Sequence, residues 1–487
     1  MKSISNVVSN IFAGWHAVEK TKRTHKIERT GEGGILKPKQ RLLGVAANRD
    51  LERNFSTAKS IQWQYKVNVV GASLKMMVNC EGGKAAADWF NKTWAKSADF
   101  KDETTHFTTL VENMLTTVRR EGDCAICVDD KLFENSGKIL AWESDQIVKL
   151  SEKAFKNSPW SKIAFQDNGL LRHNVTDKII GIIITGQHGA TSIDDISKVQ
   201  IMPIEDVRLI KAAWRLNQGR GTADMLTAKK QFEDVYEIQN SELDTAIRTS
   251  KQAGYTKRKD PESGDNTPRI TPLDEEEGDE IAEIVEVPKY DKFEELYGGN
   301  WHYLHEGDEV GVIDNPRPNM DIIGFSNAVL AQAGSSQGLA KCYTLLQASS
   351  SYTAFRGEML MSWATFYWWQ QWAERMICDW IAVKVLTWAI KKGKIKALPE
   401  GWESSISWQW PKMPEIDMVK AAMSDRANLK NGKMDFADLI GPDWDNKLTS
   451  LQEQLAKFKG LPLSVFETVS GSIIEDLKYD GNSKDEE

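Results

Sequence analysis

Residues Met359–Ile390 read MLMSWATFYWWQQWAERMICDWIAVKVLTWAI and hold six of the chain's 18 tryptophans. A membrane span, a ligand-stacking surface and a packed helix can each produce such sequence, and choosing among them decides the fold. A span needs roughly 20 consecutive, mostly apolar residues. The longest uncharged piece, Met359–Ala373, has 15 residues and includes Gln370 and Gln371. Glu374, Arg375, Asp379 and Lys384 follow, each costly in lipid. The spacing instead predicts a helix: Met361, Thr365, Trp369, Trp372, Met376, Trp380, Val383 and Thr387 recur every three or four residues on one face. Trp363, Phe366 and Trp388 lie off that stripe, so the helix should be covered from more than one side. Core or subunit-interface packing is the expected use, with Trp369, Trp372 and Trp380 as principal residues. The predicted helix runs from about Arg356 to Lys391, 36 residues or roughly 54 Å.

The rest of the chain sets broader bounds. Its 487 residues can hold several domains, and 41% hydrophobic with 27% charged residues is ordinary for a soluble protein. Five scattered cysteines, an odd number, argue against a disulfide framework and fit a reducing compartment. NVVSNIFAGW near the start is short and interrupted by polar residues, so no secretory signal is expected. The net charge of −8 is uneven. Asp274–Glu309 carries 14 acids against two lysines, and Lys20–Arg41 carries eight Lys/Arg against two glutamates. A solvated acidic loop and a basic flexible arm account for both; the functional alternative is that each meets a different partner.

Periodicity places helices over Asn48–Asn68, with Leu51, Phe55, Ala58, Ile61 and Tyr65 on one face, and over DWFNKTWAKSADF and HFTTLVENMLTTVRRE. Strands are predicted at CAICVDD, KILAWES, KIIGIIIT and KVQIMPI. Asp224 is expected to cap a long helix ending near Gly254, and a second should start near Met320. Between them lies polar, acidic sequence with the short strand candidates EIVEV and WHYLHEGDEVGVI. From Phe325 to Phe355 the only charge is Lys341. ISWQWP reads as a strand, and Asp417 as the cap of a helix closed by Asn431–Gly432. Further helices are predicted from Asp435 and along Leu448, Leu451, Leu455 and Phe458.

Motifs for chemistry are weak. Cys124 and Cys127 sit three apart on a predicted strand, so their thiols face opposite ways and cannot share a metal; His302 and His305 fail on the same geometry. Gly219 and Gly221 lack the third glycine and the βαβ setting of a dinucleotide loop. The sequence contains no GxxxxGK[ST] loop, GxSxG elbow or HExxH pair. No cofactor and no enzymatic activity are expected.

The order of segments resembles the lambda-type family of phage portal proteins. NRDLERNFSTAKSIQWQYKVNVVG resembles the family's opening helix, with Arg49 and Asn54. WESDQI resembles its acidic strand end at Glu143 and Asp145, and RLNQGRGTADML its entry to a long helix, at Gln218, Arg220 and Gly221. YLHEGDEVGVIDNPRPN resembles its strand return, and SSYTAFRGEMLMSWATFYWWQQW its helix start at Tyr352 and Arg356. The stretch from Ile416 to Phe458 resembles its C-terminal pattern. The likeness runs in one order over nearly the whole chain.

The resemblance implies an α+β portal fold with an α/β wing, long stem helices, a small mixed clip and a helical crown, assembled as a ring. The expected divisions are a basic arm at 1–41, wing at 42–210, first stem helix at 211–254 and acidic clip at 255–316. A second stem helix at 317–338, tunnel loop at 339–352, Trp-rich helix and wing return at 353–414, and crown and tail at 415–487 complete them. It further implies a homo-oligomer, usually of twelve, at the capsid vertex of a virion assembled in the host cytoplasm. Double-stranded DNA passes through it without sequence specificity. Terminase large subunit, major capsid and scaffold proteins, and head-completion or tail connector proteins are the implied partners, with no membrane. Lys341, Thr344, Gln347, Ser349, Ser350, Ser351 and Tyr352 are the candidate channel lining, joined by Gln337. Their near absence of charge suits DNA that must slide. Arg49, Asn54, Gln218, Arg220, Gly221 and Arg356 are expected to be structural. The competing readings are a metal-dependent DNA-processing enzyme using the acids at 274–280, and a peripheral membrane protein using the basic arm.

Overall fold

The computed structural model describes residues 37–128, 135–251, 255–258, 294–296, 299–301, 308–311 and 320–433. Most of the expected arm, most of the acidic segment with its cluster at 274–280, His302 and His305, and the helices predicted beyond residue 433 lie outside these residues. The chain divides into two compact units, one made of the residues up to Leu226 and from Ser349 onward, the other of Thr227–Ala348.

The first unit opens with helices α1 (Pro38–Asn54) and α2 (Ser56–Tyr65). Pro38 at the first helical position needs no amide partner and presets the helical φ. The expected single helix is therefore longer at its start and broken at Phe55, whose extended backbone (φ −114°, ψ 110°) separates the two. The break leaves Leu51, Ala58, Ile61 and Tyr65 buried as expected. Arg41, assigned to the flexible arm, instead sits within α1 with its side chain 9% exposed.

Strand β1 (Lys75–Val78), helices α3 (Gly83–Trp89) and α4 (Phe107–Glu121), and strands β2 (Asp123–Val128) and β3 (Ile139–Glu143) follow. Next come β4 (Lys149–Leu150), α5 (Glu152–Lys156), β5 (Ala164–Asp167), β6 (Leu170–His173), β7 (Ile179–Thr185), β8 (Ser192–Ile193), β9 (Val199–Pro203) and β10 (Val207–Lys211). The four predicted strands are β2, β3, β7 and β9. A three-stranded sheet in the order β10-β2-β3 and a four-stranded sheet in the order β5-β6-β7-β9 form the two main layers, both antiparallel. Ala125, Cys127, Leu140, Trp142, Leu170, Ile182, Ile184, Met202, Val207 and Leu209 fill one core between them. Ile183 belongs to a second cluster with Leu150, Leu171 and Ile193, so β7 is buried on both faces, which explains its continuous IIGIIIT run. Cys127 lies in the inter-sheet core and Cys124 outside it, as strand alternation requires.

In the second unit, α6 (Lys229–Lys251) packs along α7 (Met320–Ser336), the start of one beside the end of the other, where Thr227 Oγ1 lies 3.4 Å from Ser336 Oγ. Two antiparallel ribbons belong to this unit, β11 (Tyr255–Arg258) with β14 (Asp308–Gly311), and β12 (Glu294–Leu296) with β13 (Gly299–Trp301). The long helix starts at Lys229 because Asp224–Thr227 forms a separate 3-10 turn, and Asp224 pairs with Arg119 at 3.5 Å. A short helix α8 (Lys341–Thr344) then turns back onto α7. Gly334 permits this approach, since a Cβ there would fall 1.8 Å from Thr344 Oγ1.

The tryptophan stretch forms α9 (Tyr352–Ala373) and α10 (Asp379–Lys391), joined without a break by a π turn at Glu374–Cys378. The buried stripe differs from the expected one. Met359, Trp363, Phe366, Trp369 and Trp372 are inward before the turn, and Ile377, Ile381, Val385 and Ala389 after it, whereas Met361 is 71% exposed. At 100° per residue, Trp363 and Ala389 would point about 80° apart on an uninterrupted α-helix. The extra residue of a π turn takes back about 100°, so one face stays inward along the whole rod.

Tyr65 meets Phe366 and Trp369 edge-on, at 5.3 and 6.2 Å between ring centres, and the Arg119 guanidinium lies 3.3 Å above the Tyr65 ring. The acids that argued against a membrane helix have partners. Trp408 of β15 (Ile406–Gln409) donates its indole N–H to Asp379 at 2.9 Å, and Trp410 donates to Glu374 at 2.8 Å. Strand β15 pairs with β1, tying the returning chain to its start. No described helix is long and apolar enough to cross a membrane. Helix α11 (Met418–Lys430) starts at Asp417, which accepts from the Lys420 amide, and ends before Gly432.

Replacing Trp369 with Ala should cost about 3–5 kcal/mol, the range for a buried aromatic, read by urea unfolding. Trp380→Ala, where the ring is only half-buried under Lys384, should cost clearly less. Equal losses would contradict this packing.

Candidate functional site

Two of the motif residues, Arg220 and Gly221, meet at one buried carboxylate. Asp123 opens β2 directly after Gly122, which ends α4 with φ 102°. Its side chain is 0% exposed. Arg220 grips it with both arms, Nε to Oδ2 at 2.7 Å and Nη2 to Oδ1 at 2.9 Å. Such a bidentate pair adds direction to charge. The guanidinium's remaining hydrogens go to the carbonyls of Ser144, Ile147 and Asn168. Arg41 donates to Asp123 Oδ1 at 2.8 Å and to the Gly221 carbonyl at 2.6 Å. The Gly221 amide and the Ser144 hydroxyl also donate to Asp123, at 2.9 and 2.8 Å. Burial by itself would raise the Asp123 pKa, but the charges of Arg220 and Arg41 outweigh it and hold the carboxyl at about 2. Burial, aided by Arg220's charge, lowers Arg41 to about 10, with Asp123 acting against it.

Backbone close approach makes this geometry reachable. A Cβ on Gly221 would fall 1.8 Å from the Gly122 carbonyl oxygen, so two glycines lie back to back where the 218–221 segment crosses the α4–β2 junction. Gln218 shapes that segment. Its side-chain oxygen accepts from the Trp214 and Arg215 amides, and its nitrogen donates to the Arg220 carbonyl at 3.0 Å.

A second cluster adjoins the first through Ser144. Arg49 donates to Glu121 at 2.9 Å, Glu143 at 2.7 Å and Asp145 at 2.9 Å. Arg120 joins Glu121 to Glu52, and the Ser144 amide donates to Glu121. Burial raises the Glu121 pKa, opposed by Arg49 and Arg120. His188 Nδ1 lies 3.2 Å from Asp145 and 3.7 Å from Glu143. Glu143, Asp145 and His188 bring three ligand-type atoms within 4.8 Å, but Arg49 already supplies positive charge to both carboxylates. A cation there would have to compete with a bound guanidinium.

The structure thus brings Arg49, Gln218, Arg220 and Gly221 together. Asn54 and Arg356 lie elsewhere, both exposed; Asn54 donates to Asp50 at 2.6 Å at the end of α1. Sequence reasoning missed Asp123, Glu121, Ser144 and Arg41. The available signal was an acid opening the otherwise apolar strand CAICV. Among candidate lining residues, Lys341, Gln347, Ser350, Ser351 and Tyr352 are exposed and Ser349, which bonds to Glu358, is half-buried. Thr344 is a correction. It is 1% exposed, bonds to the Ala340 carbonyl and packs at Gly334, so it faces the protein interior. Gln337, 5% exposed, is likewise turned inward.

Residues 38–370 match the profile of the lambda family of phage portal proteins. The chain belongs to that family. The matched span contains every residue of the two charge clusters, and the family is structural rather than enzymatic. A probable portal protein of Halomonas phage phiHAP-1 is 22% identical over 299 residues, 59% of this chain and 54% of that protein. The chain therefore matches about half the length of this curated relative. Among solved structures, the virion of a native gene transfer agent particle contains a chain 10% identical, with TM-score 0.42, over 80% of this chain and 94% of its own. The neck of the same native particle, computed with C12 symmetry, contains one at 10% identity and TM-score 0.39, over 81% and 95%.

Asp123→Asn should destabilise the fold by about 3–5 kcal/mol, because two guanidiniums would lose their buried counter-charge. The pH response has a definite sign. The folded pKa of Asp123 lies below its ordinary 3.8, so its contribution is complete above about pH 4 and disappears as pH falls toward 2. Thermal unfolding of wild type and Asp123→Asn across that window should converge; parallel curves would refute the assignment.

Proposed function

We propose that this chain is the portal subunit of a tailed phage or prophage, a ring, of twelve copies by family analogy, enclosing the channel through which double-stranded DNA is packaged and ejected. The observation that carries this reading is the family match over residues 38–370. The physical arrangement supports it. The clustered charges join α1, the α4–β2 junction, β3 and the 218–221 segment, and they form a rigid tie within the subunit. A ring that carries load while DNA moves needs such rigid protomers.

The packed helices α6 and α7 serve in this reading as the stem, and the acidic sequence between them in the chain as the clip. An acidic clip repels DNA and offers basic partners a docking face. Terminase large subunit would dock during filling, and head-completion or tail connector proteins afterwards. Major capsid and scaffold proteins would surround the ring at the virion vertex, after assembly in the host cytoplasm. Lys341, Gln347, Ser349, Ser350, Ser351 and Tyr352 remain the proposed channel lining. Few cations there means few released counterions and weak retention of the duplex.

Twelve copies of a 54.9 kDa chain should give particles of about 660 kDa with a central hole by mass measurement and negative-stain imaging. A sample that stays monomeric when concentrated would end this reading. Replacing Ser350 and Ser351 with Lys should slow particle filling several-fold in a packaging assay while rings still form; unchanged filling would remove these residues from the lining.

A further inference from the structure

The far end of the tryptophan helix carries a feature that the portal reading does not use. Residues 391–396 read KKGKIK, four lysines in six positions, all exposed. The helix closes there through hydrogen bonds from the Lys392, Gly393 and Lys394 amides to the carbonyls of Trp388, Ile390 and Ala389, with Gly393 at φ 66°. Leu398 is half-buried near Gly82, which anchors the return of the loop. The ammonium groups are therefore presented from a fixed backbone. Lys392, Lys394 and Lys396 make no ion pair among the described residues. The nearest acids in sequence, Glu400 and Glu403, lie beyond Pro399.

A helix C-terminus favours cations, but that effect fades beyond the last turn. It accounts for Lys391 and Lys392 and leaves Lys394 and Lys396 unexplained. The residue type narrows the partner. Lysine is depleted in protein–protein interfaces, where arginine and aromatic residues are enriched. Mobile point charges instead suit phosphates along a backbone, where contacts position the duplex without reading its sequence.

Distance separates this patch from the proposed channel segment. Tyr352 and Lys391 are the two ends of one continuous helix built from segments of 22, 5 and 13 residues, about 60 Å at 1.5 Å per residue. At physiological salt a charge is screened within about 8 Å. Phosphates at the Tyr352 end therefore lie beyond the reach of these lysines, and a low-friction lining and a phosphate-binding patch can share one helix.

We propose that Lys392, Lys394 and Lys396 form a sequence-independent contact for the phosphates of double-stranded DNA lying outside the channel. Its placement outside the channel rests on the portal reading of the Tyr352 end; the binding itself does not.

The test uses the full chain and a labelled duplex of about 40 base pairs, titrated over a range of salt. K392Q/K394Q/K396Q is compared with K96Q/K156Q/K198Q, which removes the same charge from three exposed lysines on separate elements. Each lost phosphate contact should lower the slope of log affinity against log salt by about 0.9. The patch variant should thus lose about 2–3 in slope and roughly tenfold or more in affinity at low salt, with the control within twofold of wild type. Equal losses in both variants, or none in the patch variant, would overturn the proposal. So would selective loss of binding to a peptide copying residues 274–309, with duplex binding intact, since the patch would then serve an acidic protein. Mass measurement on the same samples keeps the readings apart. Intact rings with an unchanged slope defeat the patch alone, while a stable monomer defeats the ring and leaves the slope to judge the patch.

Discussion

A single carboxylate removed from water governs the first unit. Asp123 is surrounded by two guanidiniums, a hydroxyl and a backbone amide drawn from α1, the end of β3 and the 218–221 segment. Taking a lone carboxylate into a protein interior costs several kcal/mol, and an incomplete set of partners does not recover it. The carboxylate therefore penalises every arrangement in which one of those segments is misplaced. The ionic tie adds direction to their apolar burial and gives them a unique register relative to the sheets. Arg49 repeats the principle at the rim, where one guanidinium joins Glu121 at the end of α4 to Glu143 and Asp145 at the end of β3.

The tryptophan helix meets the opposite difficulty, an excess of large apolar surface. Its solution is a rod whose inward face is kept in phase by a π turn and whose polar groups are satisfied at that turn. Glu374 and Asp379 accept indole hydrogens from Trp410 and Trp408, so two residues that look like interruptions in the sequence are the attachment points for the returning strand. Burial raises the pKa of both acids, with the indole donors opposing it. Edge-on contacts of Tyr65 with Phe366 and Trp369 place positive ring edges against negative faces, which favours a fixed arrangement over a sliding one.

The two charge clusters tie distant segments of the first unit together, while the proposed DNA-facing segment is short of charge. Lys392, Lys394 and Lys396, which make no ion pair among the described residues, lie several screening lengths away at the far end of the same helix. The proposed gripping and sliding functions are thereby separated by distance along one rigid element.

Much of this was legible in the sequence, because local patterns report local physics. Periodicity found the helices over 107–121, 320–336 and 418–430 and strands β2, β3, β7 and β9, and the motifs at Arg49, Gln218, Arg220 and Gly221 marked residues that meet in space. Charges within the aromatic run argue against a membrane span, and no described helix is long and apolar enough to cross one. What sequence could not determine was long-range pairing. Asp123 looks like a turn residue until Arg41, 82 positions earlier, and Arg220, 97 positions later, arrive beside it. Thr344 looks like a polar lining residue until Gly334 admits it to the interior. The inward face of the tryptophan helix depends on a π turn that adds one residue to the count, and that turn becomes visible only in the folded backbone. For Asp123 the deciding term is a contact between segments distant in sequence, whose free energy has no trace in the composition of either one alone; for Thr344 and the tryptophan helix it is a backbone geometry that residue type does not specify.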